Sequence, residues 1–150
     1  MKNLYDAACA DEIRVRVSAL KPDSSRAWGK MTPAQTVAHC AKGMEMAVGD
    51  WNPPRMLLGR LLAPLIRPSL LQGDAPMRQN APTLSGLIIR ASPNFEQEQQ
   101  RLLALIERFR AAGPAGCTTH PHSFFGNMTP AEWSVLMYKH LDHHLRQFGV

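Results

Sequence analysis

The chain has 150 residues, enough for one domain with a sizeable core, and its 45% hydrophobic content excludes a disordered polymer. No stretch approaches the about 18 uninterrupted apolar residues of a transmembrane helix, and the opening "MKNLYDAACADEIR" meets acids before a signal-peptide core could form, so a cytoplasmic protein is expected. The net charge of +5 gathers between Trp51 and Ser92, where Arg55, Arg60, Arg67, Arg78 and Arg90 face Asp74 alone, yet no aromatic residues interleave with them and no C2H2, RRM or basic-zipper pattern is present. Nucleic acid is therefore not an expected partner. Cys9, Cys40 and Cys117 are odd in number and widely spaced, which suits reduced thiols rather than a disulfide framework or a zinc knuckle.

In chain order, the first helix is expected over about Tyr5 to Leu20, where Cys9, Ile13, Val17 and Leu20 recur at spacings of three and four before "KPDSS" ends the pattern. The second starts in "KMTPAQ", with Thr32 as N-cap, Pro33 at the first helical position and Gln35 completing a capping box, and runs to about Gly49. A crossover from Trp51 to Pro93 then carries seven of the twelve prolines. Pro64 and Pro68 each remove an N–H and crowd the preceding turn, so short helical pieces rather than one long helix are expected through its leucines. The same prolines count against a basic amphipathic patch on a membrane surface, and no membrane partner is expected. Arg55, Arg60 and Arg67 have no acidic partner nearby in sequence and should be mostly exposed. The third helix follows Ser92-Pro93 and closes at Gly113-Pro114. The fourth opens at "NMTPAEW", with Thr129, Pro130 and Glu132 in the same capping roles and Met128 placed to staple against Trp133, and reaches the C-terminus.

"WGKMTPAQ" and "FGNMTPAE" are nearly the same words. Shared capping chemistry explains them; a pseudo-symmetric pair of helices starting at the same end would explain them too.

Three histidines fall within "HLDHH", residues 140 to 144. At about 100° per residue, Trp133, Leu136, Met137, His140, His144 and Phe148 share one stripe, with His143 at its edge and Lys139, Asp142 and Arg146 on the side expected to face water. Residues at i and i+4 hold their Cβ atoms about 5–6 Å apart, a chelating spacing for two imidazoles at about 2.0–2.1 Å from one ion. A third ligand must come from elsewhere. His39, about two turns into the second helix, could meet His140 and His144, three and four turns into the fourth, if the helices run alongside with a modest stagger. His120 and His122 are rivals better placed at the other end. Core histidines bonded to carbonyls, or a solvated helix end, would account for the same residues without a metal. Cys40 lies about 100° around the helix from His39 and reads as a buried structural cysteine, while Gln147 lies near the histidine stripe and is the candidate to hydrogen-bond a ligand from behind.

With a histidine in "WGKMTPAQTVAHC" and HxxxH in "KHLDHHLRQ", the chain resembles the DinB-like (YfiT-type) metalloenzyme superfamily, through most of its length and least across Trp51 to Ser92. The resemblance implies an all-α four-helix bundle with a long proline-rich crossover between its second and third helices. It further implies a divalent zinc or nickel ion on His39, His140 and His144, and transfer of a low-molecular-weight thiol to an electrophile. Imidazole suits ferrous iron as well, and a hydrolase using water at the same site is the neighbouring chemistry. The alternative is a metal-free helical module, expected as a homodimer, that binds a partner and keeps its histidines as core polar groups.

Overall fold

Each helix begins where a side chain can cap it, with one exception. In the computed structural model, which describes residues 1–150, Asp6 accepts from the Cys9 N–H at the start of α1 (Ala7–Ala19). Thr32 and Gln35 form a complete capping box on α2 (Pro33–Val48), and Gly49 closes it in the left-handed conformation at φ 85°. Asn94 caps α4 (Phe95–Ala112), and Thr129 with Glu132 repeats the capping box on α5 (Pro130–Arg146). α5 ends at Arg146, short of the C-terminus. The exception is α3 (Leu57–Leu71), whose leading Met56 offers no side-chain cap.

The fold is all-helical, with five α-helices, two short 3-10 turns and no strands; residues 122 and 126 form an isolated β-bridge. α2 lies along α4, α1 packs on α4 and α5, and α5 packs on α2. Trp133, Phe109, Ile13, Met44, Leu102, Ile106 and Leu141 fill the space between them. No helix is long and apolar enough to cross a membrane.

The proline-rich crossover departs from expectation, because α3 runs unbroken through Pro64 and Pro68. Each proline deprives the carbonyl four residues earlier of its donor, at Arg60 and Pro64. Both prolines sit on the exposed side of α3, where water can take over those two bonds. The buried side is held independently: the Met56 N–H donates to the Ser123 carbonyl at 2.9 Å, and Gly59 lies so close to Phe124 that a Cβ would stand 2.6 Å from its carbonyl oxygen.

That docking also corrects the arginines. Arg60 is exposed as expected, but Arg55 and Arg67 are half-buried. Arg55 Nη1 donates to the carbonyls of His122, Ser123 and Phe124 at 2.8, 3.1 and 2.8 Å, and Arg67 pairs with Glu132 at 2.6 Å. Neither set of acceptors is near in sequence, so a search for adjacent acids misses both.

α5 is buried on more sides than its stripe implies. Arg146 faces water as expected, whereas Lys139 and Asp142 are buried. Lys139 Nζ donates to the Leu70 carbonyl at 2.8 Å, and Asp142 accepts from Arg16 and Arg146, each at 2.8 Å.

Candidate metal centre

The direction of α2 against α5 decides which side chains meet. The Ala27 N–H, just before α2, donates to the Gln147 carbonyl, just after α5, at 2.8 Å, while Gly43 further along α2 lies against His140. The two helices are therefore antiparallel, and the matching "MTPA" starts lie at opposite ends. Shared capping chemistry, not a pair of helices starting together, accounts for the repeated words.

The antiparallel arrangement brings His39 between His140 and His144. The three rings form a triangle with centroid separations of 4.9 Å, 4.7 Å and 4.8 Å, and their ligand nitrogens lie within 4.8 Å of one another. Nitrogens about 2.0–2.1 Å from one tetrahedral ion stand about 3.4 Å apart, so the widest separation must close by about 1.4 Å to bring the set to ligand distance. His39, His140 and His144 are the residues expected from the sequence to meet, and antiparallel packing of α2 on α5 is what brings them level.

Two of the rings are oriented from behind. His39 Nδ1 donates to the Leu87 carbonyl at 2.8 Å, which leaves the Nε2 lone pair facing the other rings. Gln147 Oε1 accepts from His144 Nδ1 at 3.1 Å, and the Gln147 amide is itself fixed by donating to the Trp28 carbonyl at 2.7 Å. Gln147 thus stands where its sequence position placed it. Gly29, at φ 81°, leaves the space that Gln147 occupies, since a Cβ there would collide with the amide nitrogen. His140 differs: its Nε2 lies 2.9 Å from His39 Nε2, and its Nδ1 is buried with no hydrogen-bond partner. Because His39 keeps its proton on Nδ1, the His39–His140 bond requires a proton on His140 Nε2.

Burial holds all three imidazoles neutral. It pushes His144 down to about 3, with neighbouring His39 adding to the effect, and lowers His39 against the opposing pull of the Leu87 carbonyl. His140 is driven well below the ordinary range by burial and then by His144 and His39. Neutral imidazole is the ligand form. By residue, His140 is half-buried while His39 is buried.

The other candidates stay apart. His143 is edge-on to His144 at 5.0 Å and to Trp28 at 6.0 Å, outside the group of three. His122 is buried at the 122–126 loop, where its Nδ1 accepts from the Phe124 and Phe125 N–H groups, each at 3.1 Å; burial takes it to about 4. His120 is exposed. Cys40 is buried, and burial pushes its thiol up, away from nucleophilic use.

Two participants escape a reading of histidines alone. The Leu87 carbonyl comes from the 3-10 turn Ser85–Leu87, inside the crossover, and nothing local marks it. Gly43 is more legible. It sits one turn after His39, buried in mid-helix, where glycine costs about 1 kcal/mol relative to alanine and so signals a close approach. The approaching group is the His140 ring, 3.1 Å from where a Cβ would stand.

A family model described as "Protein of unknown function (DUF1569)" matches residues 4–149. The chain belongs to this family. No curated protein and no solved structure matches it. The DUF1569 match spans all five helices, so the histidine triangle and the crossover that buttresses it lie within one family unit.

Proposed function

We propose that this DUF1569 chain is a metal-dependent enzyme of the DinB-like type, holding one zinc, nickel or ferrous ion through His39, His140 and His144. The observation that carries the reading is the buttressed triangle: three neutral imidazoles from two helices, two of them fixed through Nδ1 so that Nε2 points inward. The contacts linking α1, α4, α2 and α5 in a closed ring favour the four-helix bundle of that superfamily, with α3 as an addition within the crossover.

A divalent ion in such a site supplies a Lewis acid that favours the ionised form of a thiol or water. The chain's part is to keep the ligands neutral and to fix His39 and His144 through Leu87 and Gln147. No carboxylate joins the group, so its charge stays that of the ion, which suits an anionic thiolate as the bound species. Transfer of a low-molecular-weight thiol to an electrophile is the reaction proposed, in the cytoplasm, with hydrolysis as the neighbouring outcome.

The test is elemental analysis of tag-free protein, followed by a thiol-consumption assay on zinc-, nickel- and iron-loaded samples. One ion per chain is expected, lost from His39→Ala, His140→Ala and His144→Ala and retained by His143→Ala. A second reading rests on the 2.9 Å His39–His140 hydrogen bond, which completes the pairing of His39 without an ion, although His140 Nδ1 stays unpaired, and favours a metal-free bundle, the alternative expected to act as a dimeric binding module. Wild-type protein that remains metal-free after incubation with each ion would establish that reading instead.

A further inference from the structure

Most of the chain's large exposed apolar side chains lie on one helix. Leu57, Leu58, Leu61 and Leu65 of α3 are 80%, 56%, 73% and 77% exposed. At about 100° per residue they fall within an arc of about 100°, so they form one stripe on the side opposite the buried Gly59 and Ala63. Four neighbouring leucines held in water serve no purpose in the core of this chain.

The flank of the stripe is cationic. Arg60 and Arg67 lie on the same edge of α3, beside a shallow pocket of about 280 Å³ lined by Arg55, Arg60, Arg67 and Phe125. Arg55 is pinned through Nη1 alone, Arg67 is held by Glu132, and the Arg60 side chain is exposed with no ion-pair partner. Asp74 is the one acid from Trp51 to Ser92, and it is engaged by the Lys2 backbone N–H at 3.0 Å.

We propose that α3 docks on an anionic phospholipid surface, with Leu57, Leu58, Leu61 and Leu65 at the acyl boundary and the Arg55–Arg60–Arg67 pocket against headgroup phosphate. Charge complementarity selects this occupant. A second copy paired through α3 would match the leucines but set arginines against arginines, with no carboxylate on α3 to receive them, whereas an anionic headgroup supplies both the apolar layer and the counter-charge. The prolines that argued against such a face do not break α3. The helix lies on the surface rather than through it.

The test is co-sedimentation of the full chain with vesicles of phosphatidylcholine alone and of phosphatidylcholine mixed with phosphatidylglycerol, at low and high salt. Binding to the mixed vesicles is expected, weakened by salt and reduced about tenfold or more in a Leu57→Gln, Leu61→Gln, Leu65→Gln variant and in Arg60→Glu. All four side chains are exposed, so helical circular dichroism should be unchanged, and Arg60→Glu stands alone as the test if the triple variant misfolds. Absence of binding, or binding indifferent to phosphatidylglycerol and to Arg60→Glu, would overturn the proposal. A dimer that the leucine variant dissociates, without vesicle binding, would assign the face to a second copy. Thermal stabilisation by inorganic phosphate without vesicle binding would assign the pocket to a free anion; either result also overturns it.

Discussion

Replacing Gly43 by alanine separates the stability of α2 from the geometry of the histidine triangle. Alanine gains about 0.8–1.0 kcal/mol of helix propensity over glycine. The new methyl would stand 3.1 Å from His140 Cε1 and 3.3 Å from Nδ1, inside the about 3.5–4.0 Å of an ordinary carbon contact, so the ring must retreat by a few tenths of an ångström. Pushing an imidazole off its rotamer costs about 0.5–1.5 kcal/mol, which roughly offsets the propensity gain. Metal-free Gly43→Ala should therefore match the wild type in denaturant stability to within about 1 kcal/mol. Metal affinity should behave differently, because ligand distances tolerate only about 0.2 Å of error, and a loss of about tenfold or more is expected. Competition with a chromophoric chelator reads the second quantity, and urea unfolding reads the first. Unchanged affinity together with unchanged stability would refute the placement of His140 in the site.

Gln147→Leu removes the acceptor for His144 Nδ1 and should weaken metal binding about 10- to 100-fold by calorimetry; undiminished affinity would reduce Gln147 to packing. Thr32→Ala and Thr129→Ala each break an intact capping box and should each cost about 0.5–2 kcal/mol in urea unfolding, and a change near zero at either would discount its box. His122 at about 4 and His144 at about 3 lie below the ordinary value of 6.5, mainly through burial, so the unfolded chain takes up protons first as pH falls. Stability of the metal-free protein should be complete above about pH 6.5 and fall by a few kcal/mol toward about pH 4, and a midpoint independent of pH over that range would contradict the burial of these rings.

Local rules made the helix ends legible. Thr32, Pro33 and Gln35, and again Thr129, Pro130 and Glu132, are capping chemistry that needs no tertiary partner, and they appear in the structure as read. His140 and His144 were legible for the same reason, since their common face follows from helical phase within one element. What escaped was tertiary. Phase on α5 does not say that α3 will cover Lys139, whose ammonium ends on the Leu70 carbonyl, and spacing between α2 and α5 does not say that they are antiparallel. Pro64 and Pro68 misled because their cost depends on which side of α3 they occupy, and that is fixed by Gly59 meeting Phe124.

The repeated words before α2 and α5 show how one local device serves two distant structures. Gly29 and Gly126 precede the same "MTPA" run by two residues each, and both adopt the left-handed conformation, at φ 81° and 77°. A side chain at either would be strained, and it would also strike something: the Gln147 amide at Gly29, and the Arg55 guanidinium, 3.2 Å from a Cβ, at Gly126. The first contact positions Gln147 behind His144 in the candidate metal centre. The second seats Arg55 against the loop that anchors the start of α3 and the arginine-lined pocket. The same backbone turn therefore supports the histidine triangle at one end of α5 and the exposed face of α3 at the other, and the tertiary partner rather than the motif decides which.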